Sequence, residues 1–387
     1  AEWEAVKEFS GKTWVYGAGA HAGTGDLLAE ARKLDGQYQP VDTAQDDVAL
    51  LAFTSGSTGV PKATMHFHRD VLAIADTFSK SVVKPDEGDI FSGTPPIAFT
   101  FGLGGLVIFP LRAGARTVLL EATTPPQLPD AIEKYGITCL FTAPTAYRAM
   151  LPHLTREKVK TLRRCVSAGE HLPKATWEAF HQATGIKLID GIGATEMLHI
   201  FISASDEEII PGMTGKAITG YRAKIVDENM NELADGEIGR LAVQGVTGCR
   251  YLRDERQKSY VKNGWNLTGD LYLRHANGYF QYQSRSDDMI ISSGYNIAAP
   301  EVENAILTHK SVAETAVVGV PDEERGMIVT AYVVVREGFT ADDALAKEIQ
   351  DQVKVTIAPY KYPRKINFVD SLPKTTTGKL QRFRLKS

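Results

Sequence analysis

Cysteine is scarce in this 387-residue chain: Cys139, Cys165 and Cys249 are its three, scattered and odd in number. With no C-x-x-C pair they exclude a disulfide framework or a cysteine-built zinc site, and as small core residues they suit a reducing, cytoplasmic setting. In that setting the sequon Asn266-Leu267-Thr268 is coincidental. Long apolar runs are lacking. None approaches the roughly 18 residues of a membrane span, and Leu103 to Leu111, one of the longest, carries Gly and Pro. A basic surplus is also missing. The formal charge is −4, so nothing in the charge balance calls for a nucleic-acid partner. The N-terminus, Ala1-Glu2-Trp3-Glu4, has neither Met nor a charged-then-apolar leader, which reads as a processed or shortened chain without a signal peptide.

Hydrophobic residues make up 43% of the chain, enough for a large core, and the length suits two domains. The most informative segment is Thr54-Ser55-Gly56-Ser57-Thr58-Gly59-Val60-Pro61-Lys62. It follows Val48–Phe53, an apolar run that reads as a buried strand. A strand opening into a loop with two glycines, four hydroxyls and a lysine is suited to phosphate. The glycines let backbone N–H groups turn inward as an anion nest, and the hydroxyls and ammonium add donors and charge. It is not a Walker A loop, because Pro61 stands where that pattern needs its second Gly.

Before it, Gly17 to Gly23 imitates a dinucleotide-binding turn with one residue too many, and reads better as a loop leading into a helix over 26–34. From residue 47 strand-like runs alternate with amphipathic helical patterns: strands at 117–120, 138–141, 164–167 and 187–190, and helices at 126–135, 145–154 and 174–184. That rhythm predicts an α/β sheet flanked by helices. After about residue 215 the texture changes to short β runs, 222–226, 239–244 and 278–282, a small antiparallel section. Beyond Asp287 a compact α+β unit is expected, with helices at 299–307 and 342–355 and strands at 312–318 and 330–335. The charged face of 342–352 reads as solvated. The division is therefore a large domain, 1–286, and a small one, 287–387. His66 and His68 are too thin a pair for a metal site and read as packing beside the phosphate loop.

Five further motifs follow in order: Ser167-Ala168-Gly169-Glu170, Asp190-Gly191-Ile192-Gly193-Ala194-Thr195-Glu196, Thr268-Gly269-Asp270, Arg285-Ser286-Asp287 and Pro373 to Gly378-Lys379. Each alone is an ordinary turn. Together, in this order and spacing, they make a chain that resembles the adenylate-forming superfamily, which includes acyl-CoA synthetases, peptide-synthetase adenylation domains and firefly luciferase. The resemblance spans roughly residues 40–387. Members usually carry over a hundred residues before the phosphate loop, so much of the first part of the large domain is expected to be absent here.

The resemblance implies roles for individual residues. Thr54, Ser55, Gly56, Ser57, Thr58, Gly59 and Lys62 would hold the β/γ-phosphates of ATP and then pyrophosphate. Glu196 would ligand Mg²⁺, and Thr195 would contact the α-phosphate. Gly169, Glu170, Asp190 and Gly191 would border adenine, Asp270 would accept from the ribose hydroxyls, and Arg285 would reach ribose or phosphate. Lys379 would be the catalytic cation, offsetting repulsion as a carboxylate attacks the α-phosphate. Asp287 would be the hinge of a mobile small domain, and the loop bearing Gly294 would then line the channel for CoA.

Two segments, Pro96 to Gly104 and Thr195 to Phe201, look like the benzoate-CoA ligase branch, which includes 2-aminobenzoate-CoA ligases. Phe99, Thr100, Phe101, Gly102, His199 and Ile200 would wall the pocket for a planar aryl carboxylate. Thr100 and Phe101 tilt the expectation toward an ortho-amino or hydroxy ring. The alternatives are a short aliphatic acid, an adenylation domain that loads a carrier protein, and a nucleotide-binding fragment without turnover. The setting of Lys379 also resembles sites at which bacterial ligases of this kind are silenced by lysine acylation.

Overall fold

The computed structural model describes residues 11–16, 25–54, 61–121, 123–286, 288–374 and 380–386. The chain divides into two compact units, 1–44 and 45–387. In the first, β1 (Trp14–Val15) pairs in parallel with β2 (Gly25–Asp26), and α1 (Leu27–Ala31) follows. Asp26 caps that helix by accepting from the Ala29 amide at 3.0 Å. The helix is thus shorter than expected over 26–34, and the turn at Gly17–Gly23 lies outside the described residues.

The second unit opens with a two-stranded hairpin, β3 (Val48–Thr54) and β4 (Lys62–Phe67), leading into α2 (His68–Ile74). The expectation of a buried β3 is wrong. Phe53 is 65% exposed and Val48 and Leu51 are more than two-fifths exposed, because among the described residues β3 has β4 as its only sheet partner.

A seven-stranded sheet carries the centre. Its members are β5 (Ile90–Gly93), β6 (Arg116–Thr117), β7 (Cys139–Thr142), β8 (Arg164–Ser167), β9 (Leu188–Gly193), β10 (Ile200–Ser203) and β11 (Lys216–Ala217), in the order β11-β10-β9-β8-β7-β5-β6. The pairs from β6 to β9 are parallel, and β10 and β11 run antiparallel at the edge. Every residue of β7 is buried, as continuous apolar strands of a helix-covered parallel sheet should be. The expected strand at 117–120 shrinks to β6.

The flanking helices are α3 (Thr100–Leu103), α4 (Phe109–Ala113), α5 (Leu128–Tyr135), α6 (Pro144–Met150) and α7 (Lys174–Thr184). On α5, Leu128, Ala131 and Ile132 face inward, and Gly136 stops the helix at φ +64°. α6 ends earlier than expected and passes into a 3₁₀ turn, Leu151–His153, because Pro152 has no amide to continue the ladder. Trp177 of α7 is buried and donates to the Leu188 carbonyl at 2.9 Å, which fixes α7 against β9. Burying one such side chain contributes about 1.5–3 kcal/mol.

An antiparallel sheet follows, β12 (Tyr221–Val226), β13 (Ile238–Gly245), β14 (Val261–Lys262) and β15 (Trp265–Arg274), ordered β12-β13-β15-β14, with β16 (Phe280–Arg285) added on β15. The last section has its own apolar cluster. It comprises β17 (Ile290–Ser292), β18 (Tyr295–Ile297), α8 (Ala299–Leu307), β19 (Val312–Asp322), β20 (Gly326–Val335), α9 (Asp343–Thr356) and β21 (Lys365–Phe368). The solvated-face reading of 342–352 holds for one side of α9 alone, since Leu345, Ile349 and Val353 are buried. All three cysteines are buried and unpaired. Among the described residues no helix is long and apolar enough to cross a membrane.

Candidate active site

The loops that leave the C-terminal ends of β8 and β9 build the site, as strand ends of open α/β sheets commonly do. β8 delivers Gly169, Glu170 and His171, with Gly169 at φ +89°. β9 itself carries Asp190 and Gly191. Across from them β15 presents Asp270, and its neighbour β16 presents Arg285, whose Nη1 donates to Asp270 Oδ1 at 3.0 Å. Gly169, Glu170, Asp190, Gly191, Asp270 and Arg285 all line one cleft of about 700 Å³. The six residues singled out in sequence for the nucleoside thus converge, although they span 117 positions from Gly169 to Arg285. Burial pushes the Asp190 carboxyl up to about 8, against the opposing pull of the Gly191 amide and the Thr214 hydroxyl.

The cleft has a second wall from the C-terminal section. Pro300, Glu303 and Leu307 of α8 reach it, as do Lys374 and Leu380, which bracket 375–379. His171 links the walls: its ring stacks on Tyr282 at 5.1 Å and its Nε2 is 3.4 Å from Asn304 Nδ2 on α8. Burial, with the Arg382 charge nearby, pushes His171 down to about 4. Gly294 does not reach the cleft; it turns between β17 and β18 at φ +80° with open space around it.

The carboxylate–lysine end is separate. Thr54 and Lys62 are directly paired across the β3–β4 hairpin; Ser55, Gly56, Ser57, Thr58 and Gly59 between them lie outside the described residues, as do Asp287, Gly378 and Lys379. Glu196 sits in a 3₁₀ turn, Thr195–Met197, and is 8% exposed. Lys62 Nζ lies 3.7 Å from Glu196 Oε1. Tyr251, which no sequence pattern singled out, joins the two: its hydroxyl donates to Glu196 Oε1 at 2.6 Å and accepts from Lys62 Nζ at 2.8 Å. The ammonium also lies over the Tyr251 ring, 4.6 Å from its centre. Burial, and then the carboxylate it serves, hold the Tyr251 hydroxyl far above the usual phenol range. Fifty-five residues separate Tyr251 from Glu196, so only the fold could reveal the pair.

His66 ties the hairpin to the same turn. Its Nε2 donates to the Thr195 carbonyl at 2.8 Å, and burial lowers its proton affinity, so the ring is neutral with the proton on Nε2. This supports packing beside the phosphate loop over metal binding. Among the described residues no group of three or more His, Cys, Asp or Glu could hold a metal. A hard cation at Glu196 would therefore have fewer than three such protein ligands among the described residues and would complete its shell with phosphate oxygens, a pattern that suits Mg²⁺.

Beyond Glu196 the backbone turns sharply, with Leu198 at φ +69°. That strained turn aims His199 inward, 3% exposed, into a cage of Phe101 (ring centres 5.9 Å), Phe78 (5.2 Å) and Phe109 (4.6 Å, edge-on). Neither His199 ring nitrogen has a hydrogen-bond partner. Burial pushes the ring down to about 3, opposed by the Phe101 backbone nearby, which lies outside hydrogen-bond geometry, so the ring is neutral at physiological pH. Gly104 is what lets the ring in: a Cβ there would stand 2.3 Å from His199 Cδ2. Of the other aryl candidates, Thr100 opens α3 and Gly102 packs on the Pro95 and Pro96 carbonyls. Ile200 covers Gly191, while Phe99 is 48% exposed. Phe78 and Phe109 were not legible as site residues, since nothing in their spacing distinguishes them from core, whereas Gly104 closes the Pro96–Gly104 segment that the sequence had singled out.

Comparison with known proteins gives this geometry its context. The family described as AMP-binding enzyme matches residues 2–250, and the AMP-binding enzyme C-terminal domain matches residues 301–379. The chain is 38% identical to a benzoate–CoA ligase of Thauera aromatica, over 95% of this chain and 71% of that protein. It is 35% identical to a 4-hydroxybenzoate–CoA/benzoate–CoA ligase of Rhodopseudomonas palustris, over 90% of this chain and 66% of the relative. Among solved structures, an anthranilate CoA ligase in complex with anthranoyl-AMP superposes with a TM-score of 0.93 at 35% identity, covering 99% of this chain and 75% of that one. A benzoate CoA ligase from Burkholderia xenovorans gives 0.90 at 32%, covering 99% and 77%. On these matches and on the convergence of its motifs, the chain belongs to the family of AMP-binding enzymes.

Proposed function

We propose that this protein is an ATP-dependent aryl-carboxylate–CoA ligase, which activates benzoate or 2-aminobenzoate as an acyl-adenylate and transfers the acyl group to CoA, releasing AMP and pyrophosphate. The observation that carries the aryl reading is the His199 cage. A neutral, fully unpaired imidazole among three phenylalanines, three residues beyond Glu196, offers a planar ring apolar faces and one polar edge. The relatives that bind benzoate and the structure with anthranoyl-AMP support the same chemistry. Two unsatisfied ring nitrogens favour a substrate bearing an ortho amino or hydroxyl group, because an unmet buried polar group costs about 1–3 kcal/mol.

The division of labour follows. Asp270, with Arg285 beside it, takes the ribose; Gly169, Glu170, Asp190 and Gly191 border the base; Thr54, Lys62 and the residues between them hold the β/γ-phosphates. Glu196 holds Mg²⁺, which when bound neutralises phosphate charge. Thr195 meets the α-phosphate, and Lys379 offsets the repulsion between the incoming carboxylate and that phosphate. In our reading residues 287–387 form a small domain that turns about Asp287 after adenylation, withdrawing Lys379 and bringing the Gly294 loop toward the CoA thiol. Acylation of Lys379 would remove the charge the first step uses and silence that step.

The test is product analysis by mass spectrometry with ATP, Mg²⁺ and CoA across benzoate, 2-aminobenzoate, 4-hydroxybenzoate, cinnamate, acetate and hexanoate. Aryl-CoA is expected, with a fall of about 10²–10³ in adenylation rate for Lys379→Ala. Acyl-CoA from acetate or hexanoate alone would overturn the aryl assignment.

A further inference from the structure

The 700 Å³ cleft also holds basic side chains that the adenylation chemistry does not use. Arg148 extends from α6, Arg336 follows β20, and Lys374 precedes 375–379; all three line the cleft. The carboxylate of Glu314, on β19, lies among them and is engaged by Lys374 Nζ at 2.7 Å. Arg336 uses its Nε on the Val312 carbonyl at 3.0 Å, which leaves the two outer nitrogens of its fork without a partner among the described residues. Arg148 has no hydrogen bond and no ion pair among the described residues. The other two arginines of the cleft are matched, Arg285 with Asp270 and Arg382 with Glu303. Glu170 also lines the cleft and accepts from the Thr145 amide at 3.4 Å, while Arg148 and the outer nitrogens of Arg336 have no carboxylate within ion-pair distance among the described residues.

The two guanidiniums also feel each other. Burial, and then the Arg336 charge, lower the Arg148 proton affinity to about 10, with Glu314 offsetting part of it. Like charges lining one partly desolvated cleft are unfavourable unless an anion offsets them. Lys62, Thr195 and Glu196, the groups proposed to hold the triphosphate, do not line this cleft, whereas Arg148, Arg336 and Lys374 do.

We propose that Arg148, Arg336 and Lys374 form a binding site for a phosphate-type dianion, bridging α6 to the C-terminal section. Planar guanidinium forks match tetrahedral phosphate oxygens bidentately. A dianion here neutralises both unmatched charges at once. The same chemistry is carried by free inorganic phosphate and by the 3′-phosphate of CoA.

The experiment is a thermal-unfolding titration of the full chain with inorganic phosphate, at constant ionic strength set by chloride, with acetate as control. The wild-type midpoint is expected to rise with phosphate and not with acetate. Arg148→Gln and Arg336→Gln should each weaken the apparent phosphate affinity roughly tenfold, the loss of one charged fork. Their midpoints in chloride alone should stay level or rise, because a repulsion is removed. Glu314→Gln acts in the opposite direction and should tighten phosphate binding, which a structural role for these residues would not produce. No phosphate shift in the wild type, an equal shift in all variants, or a matching shift with acetate would overturn the site. The source is read by repeating the titration with CoA and with dephospho-CoA. A larger shift with CoA that Arg148→Gln erases assigns the 3′-phosphate, and equal shifts beside a phosphate response assign the free anion. The readout is binding and does not depend on which acid the enzyme activates.

Discussion

The Tyr251 hydroxyl donates to Glu196 Oε1 at 2.6 Å, and it does so while itself accepting from the Lys62 ammonium at 2.8 Å. One phenol thus orients the carboxylate proposed for Mg²⁺ and holds the lysine at the end of the phosphate loop. Tyr251→Phe keeps the ring and the packing but removes both bonds. The expected result is a loss of about 10–100-fold in adenylation, with a raised Mg²⁺ requirement, the size seen when a carboxylate ligand loses its orienting partner. Titrating Mg²⁺ against the pyrophosphate-release rate checks it; an unchanged Mg²⁺ dependence would remove Tyr251 from this role.

Gly104 decides whether His199 can occupy its cage. Gly104→Ala puts a methyl 2.3 Å from the imidazole, on helical backbone that accepts alanine without strain. The ring must move, at about 1–3 kcal/mol of overpacking. A lowered denaturation midpoint is expected, together with a raised KM for the aryl acid and a KM for ATP that does not move.

His199 ties stability to acid. Its ordinary value of 6.5 falls to about 3 through burial, so between those limits the unfolded chain binds more protons than the folded one. Stability from this group is complete above pH 6.5 and is lost as pH falls toward 3. Urea midpoints should decline on acidification from pH 6.5 to 4, and His199→Leu should flatten that decline. The ring stays neutral from pH 6 to 9, so no break in the pH–rate profile there should vanish in His199→Gln.

Asp190 works with the opposite sign. Its carboxyl moves from 3.8 up to about 8, so the folded chain holds a proton there that the unfolded chain has released. This group costs stability progressively as pH rises from 3.8 to 8. Relative to wild type, Asp190→Asn should gain stability from pH 5 to pH 9, as followed by urea unfolding at both values.

The strand–helix rhythm from residue 47 onward was legible because period and punctuation are local. α7 ends where Thr184 meets Gly185, and α8 occupies the residues its pattern predicts, 299–307. The order and spacing of the motifs were legible for the same reason, and so was the membership of the family. Burial was less so. The apolar run at 48–53 looks internal as a string, yet β3 is exposed, because exposure depends on what stacks on a strand and not on its own composition.

The sequence by itself determined the chemistry on offer: a hydroxyl-rich lysine loop, carboxylates at strand ends and an aromatic segment near His199. Only the tertiary structure decided the pairings, which join residues far apart in the chain: Tyr251 to Glu196, His66 to Thr195, His199 into a cage with Phe78 and Phe109, and Arg148 and Arg336 onto one cleft. The physical reason is distance. A hydrogen bond or a charge acts over a few ångströms, and which side chains come that close is set by how the sheets and helices pack.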